Sequence, residues 1–225
     1  MARLARLYAP EIPQLLQARF VPEMPGRLRS LERAAFWVTE ELRVRDVSLH
    51  AWVVLPDRWV ALATPGGPKD LPGLVQAVGK RLAVEWGGPV FAARYRSALV
   101  EPGNWVLRTM LWLESLPVLD GLVADAEQWR LGSAANHTGA AANALITDHP
   151  DYWAYGNTPF DRQARYRRAL QDGVGTDARK RIEQALHGQW ALGDPAFVAA
   201  LDTGARRAAP AKRGRPPRPA GASAE

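Results

Sequence analysis

The residue types that most often carry chemistry are few in this chain. It has no cysteine, which excludes thiolate nucleophiles, thiolate metal sites and disulfides. The four histidines are His50, His137, His149 and His187. No two of them have the spacing of a metal-ligand pair. The five tyrosines are Tyr8, Tyr95, Tyr152, Tyr155 and Tyr166. Each tyrosine is compatible with a packing role, so the sequence singles out neither a nucleophile nor a metal site.

Basic residues give a clearer pattern. Arg94 and Arg96 are two residues apart in a predicted strand, so their side chains are expected on one face. A row of arginines on a strand face can follow the phosphates of a nucleic-acid backbone. Lys80 and Arg81 lie on a predicted helix, where they either extend this patch or face solvent.

The end of the chain is strongly basic. The formal net charge is +6, and residues 205–225 hold six basic side chains against one acidic side chain. Residues 212–219, KRGRPPRP, resemble an AT-hook, which inserts an extended Arg-Gly-Arg core into the minor groove of A·T-rich DNA. Its cations are Lys212, Arg213, Arg215 and Arg218. The alternative is nonspecific binding to phosphates. Few large apolar residues follow Gly204, so we expect a disordered tail.

These groups must be positioned by elements that the hydrophobic pattern predicts. The predicted order is strand 14–21, helix 28–44, strands 47–55 and 58–64, helix 70–86, strand 91–100 and helix 105–116. Pro56-Asp57 suits a tight turn between the two central strands. Pro117 is expected to end the last helix, and Asn104 to cap it. This order predicts an α+β fold, a ferredoxin-like antiparallel sheet with helices on one face.

Three short helices are predicted beyond residue 120, over 160–172, 177–187 and 196–201, with Thr158, Thr176 and Asp194 as their caps. The chain thus divides into an α+β domain (1–120), a helical appendage (121–204) and a basic tail (205–225). No apolar run is long enough to cross a bilayer. We expect a cytoplasmic, nucleoid-associated protein with no membrane partner.

Several segments, in order along the chain, resemble the REP-associated tyrosine transposases of bacteria. The opening MARLARLYAP is similar to the usual start of that family. VSLHAWVVLPDRWVALATP resembles its central hairpin, and PVFAARYRSALVEPGNWVLRTMLWLESLPVLDGLV resembles its strand and tyrosine-bearing helix. DHPDYWAYGNTP and HGQWALGDPAF resemble the appendage of longer members.

The resemblance implies a particular chemistry. In that family, two histidines at i and i+2 and a later amide hold a divalent metal, Mg or Mn, that polarises a phosphate. A tyrosine four residues before the amide attacks the phosphorus and forms a covalent link to single-stranded DNA. The corresponding positions here are Arg58, Val60, Trp112 and Leu116. None of these four side chains is the one the chemistry needs, so the resemblance predicts no strand cleavage and no metal.

Two of these positions leave alternatives open. Trp112, together with Leu116, is expected either to pack in the core or to present a surface that stacks a base. Arg58 is expected either to bind a phosphate without a metal or to be a solvated arginine at a strand end.

The leading hypothesis is a transposase-like DNA-binding protein without strand-cleavage activity. Whether the protein is an enzyme is left open. The expected DNA contacts are Lys80, Arg81, Arg94, Arg96 and the four cations of the tail. The expected partner is DNA, as a hairpin-forming single strand or an A·T-rich duplex, and a homodimer is possible. One alternative is an active transposase with displaced catalytic residues. Another is a protein-interaction scaffold with no nucleic-acid role.

Overall fold

Four strands form one antiparallel sheet. A computed structural model describes residues 6–22, 27–201, 204 and 206–210. The strands are β1 (Gln14–Arg19), β2 (Val47–Val54), β3 (Arg58–Pro65) and β4 (Arg96–Leu99), in the spatial order β2-β3-β1-β4. β1 pairs with β3 and β4, and β2 pairs with β3, always antiparallel. The sheet confirms the predicted α+β class.

β2 and β3 form the predicted hairpin around Pro56 and Asp57. The Leu55 N–H donates to the Arg58 carbonyl oxygen over 2.8 Å and closes the turn. Proline presets the backbone for a turn, and the short polar side chain of aspartate favours it.

β4 is shorter than the predicted strand 91–100 because the chain bulges before it. Gln17 faces Arg96 in the β1–β4 ladder, so a continued ladder would place Ala93 opposite Phe20. Phe20 instead forms an isolated bridge with Phe91. Two extra residues therefore bulge out of the ladder, which interrupts the alternation of side chains between the two faces.

Two helices cover one face of the sheet, α1 (Arg27–Leu42) and α2 (Asp70–Trp86). The apolar stripe of α2 is buried against the sheet, and its members are Leu71, Leu74, Val75, Val78 and Leu82. Gly87 ends α2 in the left-handed conformation, with φ 73°, and its N–H donates to the Ala83 carbonyl oxygen. Glycine adopts this conformation without a steric cost.

The second face is covered by α3 (Val106–Leu119), so the expectation that all helices lie on one face holds only for α1 and α2. The reason is that the strands are apolar on both faces: Trp59 points into the first core and Val60 into the second. A sheet that is apolar on both sides must be covered on both sides.

Both predicted ends of α3 also need correction. The helix continues through Pro117 to Leu119. A proline near the end of a helix removes one N–H donor, and the last turn can still form around it, as the bond from Asp120 N–H to the Leu116 carbonyl oxygen shows (2.8 Å). Asn104 does not cap the helix, because the N-cap residue is Trp105 and no side chain bonds there.

The residues after 120 form a 3₁₀ turn (Ala126–Gln128) and the helices α4 (Ala134–His137), α5 (Pro150–Trp153), α6 (Pro159–Asp172), α7 (Thr176–Gly188) and α8 (Pro195–Ala200). The last three were predicted, and the shorter elements before them were not. Thr158 caps α6 as predicted, since its hydroxyl accepts from the Asp161 N–H over 3.1 Å. Thr176 is instead the first residue of α7, and Gly175 is the N-cap.

This C-terminal part completes the core of the second face and lines both edges of the sheet. Beside β2, Val54 N–H donates to the Leu131 carbonyl oxygen over 2.8 Å. Beside β4, Leu192 N–H donates to the Leu99 carbonyl oxygen over 2.7 Å. Tyr166 of α6 is fully buried against α3. The helices after residue 120 are therefore held firmly enough to carry functional side chains next to the sheet.

No helix in the described ranges is long and apolar enough to span a membrane. The predictions for Lys212, Arg213, Arg215 and Arg218 lie outside the described residues.

Candidate nucleic-acid interface

An open crevice of about 1020 Å³ lies on the second face of the sheet, between the sheet, α3 and α7. Its floor is set by the strand register. Arg19 of β1 lies opposite Arg58 of β3, and Gln17 of β1 lies between Val60 of β3 and Arg96 of β4. Because alternate residues of a strand share a face, these side chains point to the same side of the sheet. The register thus gathers Arg19, Arg58 and Arg96 at one site.

The four positions singled out by the family resemblance come together at this crevice. Arg58, Trp112 and Leu116 line it, and Val60 is buried on the same face of the sheet. The four positions that correspond to the family's chemical groups are therefore neighbours in space. They come from β3 and from successive turns of α3.

These four side chains do not fit a divalent metal. Val60 and Leu116 have no ligating atom, and the Arg58 guanidinium would repel a cation. In the part of the chain that the structure describes, no group of three or more histidine, aspartate or glutamate residues could hold a metal ion. Trp112 has no hydroxyl, so it cannot attack a phosphorus atom.

Arg58 is neither a free phosphate ligand nor a solvated arginine. One terminal nitrogen of its guanidinium donates to Asp57 over 2.6 Å, and the other donates to Asp120 over 2.8 Å. Its side chain is only 14% exposed. Arg58 therefore links the β2–β3 turn to the end of α3, and two carboxylates already compensate its charge.

Trp112 is part of the core, with 4% of its surface exposed. It packs in the cluster that contains Val60, Leu113 and Leu116. Its indole Nε1 is buried and has no hydrogen-bond partner among the described residues. In this position the ring forms the wall of the crevice and does not offer a face on which a base could stack.

The crevice is basic, and α7 supplies half of its cations. Arg19, Arg58 and Arg96 come from the sheet, and Arg179, Lys180 and Arg181 come from α7. The acidic lining residues are Asp120 and Glu183. An excess of cations in a concave site concentrates anions there.

The cations of the crevice differ in their partners. Arg179 pairs with Glu183 over 2.9 Å. Arg181 lies 4.2 Å from the centre of the Trp105 ring and donates to the Gly193 carbonyl oxygen. Lys180 and Arg19 are exposed and form no ion pair with any described residue. These last two are therefore the cations most available to a ligand.

Arg96 points into the crevice and contacts the Nδ1 atom and the carbonyl oxygen of His187. Arg94, the other arginine predicted for the same strand face, is exposed and lies in the bulge before β4. It does not line the crevice. The bulge thus separates two arginines that the spacing had placed side by side.

Lys80 and Arg81 lie on α2, across the sheet from the crevice, so the structure does not bring them together with Arg96. Arg81 pairs with Glu41 over 3.2 Å and lies 5.1 Å from the centre of the Trp37 ring. Lys80 is exposed on the same helix. A DNA contact through these two residues would form a separate surface.

Sequence reasoning missed Arg19 and the basic residues of α7. Both had a visible signal. Arg19 is two residues after Gln17 on a predicted strand, and residues 179–181 are three consecutive cations on a predicted helix. The sequence does not show the strand register that places Arg19 opposite Arg58, nor the packing of α7 beside β1 and β4 that brings residues 179–181 to the same crevice.

A structural comparison finds a solved protein with a similar fold. A solved structure of a REP-associated tyrosine transposase bound to a REP hairpin matches with a TM-score of 0.55 and 14% sequence identity. The match covers 67% of this chain and 93% of that chain. No family model and no curated protein matches the sequence. At this identity the similarity shows that the two proteins share a fold.

Proposed function

We propose that this protein is a transposase-related DNA-binding protein that holds a single DNA strand in the crevice and does not cleave it. The observation that carries the proposal is the composition of the crevice. It is open and basic, yet the four positions that correspond to the family's chemical groups hold Arg58, Val60, Trp112 and Leu116.

The cations suit a backbone contact. A nucleic-acid backbone presents a row of phosphates, and each neutralised phosphate releases a condensed counterion, which drives binding. Arg19 of the sheet and Lys180 of α7 both line the crevice, so both can approach one strand. The related structure holds a hairpin, which supports a hairpin-forming strand as the ligand of this protein as well.

Cleavage requires a nucleophile and an electrophilic activator. The described residues that line the crevice include no tyrosine and no ligand set for a metal, so a bound phosphate would be held without being attacked. Arg58 does not replace the metal, because two carboxylates compensate its charge.

Binding can be tested with a fluorescent hairpin over a series of salt concentrations. We expect the affinity to fall as salt rises, and the Lys180→Gln variant to reduce the slope of log K against log salt by about 0.7 for one lost contact to a single strand. Arg29, exposed on α1 across the sheet, provides the matched control. Arg29→Gln should bind like the unchanged protein. Equal losses in both variants, or no salt-sensitive binding, would contradict the proposal.

Cleavage can be tested separately by incubating the hairpin with Mg²⁺ or Mn²⁺ and searching for a covalent protein–DNA adduct. We expect none. An adduct that disappears when one tyrosine is changed would establish the alternative of an active transposase with displaced residues. Failure to bind both the hairpin and an A·T-rich duplex would favour the protein-interaction scaffold.

A further inference from the structure

We infer that Trp190 is a stacking surface for an unpaired base of the DNA strand that the crevice holds. The inference rests on the proposed function and deepens it, because it names a part of the ligand that the crevice recognises besides the phosphates. The faces of a base are open only in a single strand or in the unpaired part of a hairpin. Trp190 therefore selects such DNA over a duplex.

Trp190 lines the crevice beside His187 and Gly188, at the end of α7. Its side chain is partly buried, yet it is packed against none of the apolar clusters that the described residues form. Its ring also makes no aromatic pair and no cation–π contact with the described residues, and its indole nitrogen makes no hydrogen bond to them. A tryptophan that the core does not use is typical of a binding surface, where its large ring supplies contact area.

A glycine makes room for this ring. A Cβ atom added to Gly188 would collide with the Nε1 and Cδ1 atoms of Trp190. Gly188 is the last residue of α7 and does not have a positive φ, so the backbone itself does not require glycine there. Since glycine weakens a helix relative to alanine, the close approach of the ring is the structural reason for glycine at this position.

The backbone on both sides of Trp190 is fixed. Gln189 has the left-handed conformation, with φ 56°, which residues with a side chain rarely adopt. The Trp190 N–H donates to the Ala185 carbonyl oxygen over 2.9 Å, and the Leu192 N–H donates to Leu99 over 2.7 Å. A residue held in such a conformation costs free energy and is often found at a functional site. A ring carried on a fixed backbone also loses little freedom when a ligand binds.

Cations surround the ring within the same crevice. Arg96 contacts His187, three residues before Trp190, and Lys180 lies two turns earlier on α7. Proteins that bind single-stranded nucleic acid combine a basic groove for the phosphates with aromatic side chains on which bases stack. The crevice contains both parts. Trp112 cannot serve as the aromatic part because it is buried, so this role falls to Trp190.

Stacking is tested with two single strands of equal length and charge, an oligodeoxythymidylate and a strand of abasic sites. We expect the full-length protein to bind the strand with bases roughly tenfold more tightly, as one stacked base would provide. Trp190→Leu should remove most of this preference and leave the slope of log K against log salt unchanged, because no phosphate contact is lost. Trp153, which is exposed and does not line the crevice, is the matched control, and Trp153→Leu should keep the preference.

A second variant keeps the tryptophan but moves its ring. Gly188→Ala places a Cβ atom where the indole lies, so it should lower the preference for bases, while alanine itself favours the helix. The double variant with Trp190→Leu should bind like Trp190→Leu alone, because the ring through which Gly188 acts is already absent. Independent, additive losses would show that Gly188 does not act through the ring.

The failure of this inference differs from the failure of the proposed function. Equal, salt-sensitive binding of both strands by the unchanged protein would overturn the stacking and leave the proposed function in place. An equal loss of affinity for both strands in Trp190→Leu would also overturn it, because the ring would then only shape the crevice. If the unchanged protein binds neither strand and no hairpin, the proposed function fails and the stacking fails with it.

Discussion

Arg19 and Arg58 lie directly opposite each other in the antiparallel pairing of β1 with β3. Like charges in this arrangement repel each other. Arg58 is compensated by Asp57 and Asp120, whereas Arg19 is exposed and forms no ion pair with the residues that the structure describes. Two arginines in the same crevice thus have different roles: one links elements of the fold, and the other is available to a ligand.

Replacing Arg19 should therefore affect binding more than stability. In Arg19→Gln the salt slope of hairpin binding should fall by about 0.7, and the free energy of unfolding should stay the same or rise, because the repulsion with Arg58 is removed. Fluorescence titration and urea unfolding measure the two quantities.

Replacing Arg58 should show the opposite pattern. Arg58→Gln leaves Asp57 and Asp120 without their counter-charge, so we expect a loss of roughly 1–2 kcal/mol in the free energy of unfolding. At equal salt the affinity for the hairpin should fall less than in Arg19→Gln. A larger loss of affinity in Arg58→Gln would show that Arg58 is released from its carboxylates to bind DNA.

A further prediction concerns Glu114, whose carboxylate is fully buried on α3. It accepts from the Tyr166 hydroxyl over 2.8 Å, from the His137 Nδ1 atom over 2.7 Å, and from Ser133. Burial, with a contribution from Glu114, raises the pKa of Tyr166 well above its usual value, so this hydroxyl stays protonated and donates. The network ties α4 and α6 to the helix that forms the wall of the crevice.

Tyr166→Phe should lower the free energy of unfolding by about 1.5–3 kcal/mol, the range for hydrogen bonds to charged groups. Tyr155→Phe is the control, since the Tyr155 hydroxyl makes no hydrogen bond to the described residues and both changes remove one oxygen. Urea unfolding gives the comparison. Equal effects in the two variants would mean that the bond to Glu114 contributes little.

The sequence predicted the helices and strands better than the way in which they pack together. The β2–β3 hairpin and α2 were found because the Pro56-Asp57 turn between two apolar stretches and the stripe from Leu71 to Leu82 are strong local signals. The bulge that separates Arg94 from Arg96 has no such signal, because it depends on which residue of β1 each one meets.

The position of α7, which forms the basic wall of the crevice, could not be predicted for the same reason. The pattern of α7 predicts a helix with one apolar side, but its position depends on contacts distant in sequence, such as that of Arg181 with Trp105. From the sequence alone, Glu114 would be expected on the exposed side of its helix. It is buried because α4 and α6 pack against it. The positions of charged residues whose partners are distant along the chain could not be predicted from the sequence.

Another prediction concerns the basic tail, whose AT-hook-like residues 212–219 remain a prediction from sequence. Removal of residues 211–225 should weaken binding to an A·T-rich duplex, and each lost phosphate contact should lower the salt slope by about 0.9. Hairpin binding through the crevice should change less. A chain in which only Arg213 and Arg215 are replaced by glutamine separates groove binding from general charge attraction. If the tail acts in the minor groove, this variant should lose its preference for A·T-rich over G·C-rich duplexes.

A final prediction follows from His50, which is buried on β2. Its Nδ1 donates to the Thr147 carbonyl oxygen over 2.7 Å, because a carbonyl can only accept, and its Nε2 then accepts from the Thr64 hydroxyl over 2.8 Å. Burial lowers the pKa of His50 to about 4, against the opposing effect of the Thr147 bond and with small contributions from His149 and His137.

The sign of the pH dependence follows from proton binding. Between pH 4 and about 6.5, His50 is protonated in the unfolded chain but neutral in the folded protein, so the free energy of unfolding must fall as the pH is lowered. The contribution of His50 is complete above pH 6.5, and about 3 kcal/mol of it is lost by pH 4. Burial also lowers the pKa of His149, against the opposing charge of Asp151, so this residue adds to the effect in the same direction.

Urea unfolding at a series of pH values in this window tests the prediction. His50→Gln should be less stable at pH 7, where the bonds to Thr147 and Thr64 are disturbed, but its stability should depend less steeply on pH. Arg29→Gln, which changes an exposed side chain and no histidine, should leave the slope unchanged. A slope in His50→Gln as steep as that of the unchanged protein would show that His50 becomes protonated without unfolding, which its burial and its bond to the Thr64 hydroxyl should prevent.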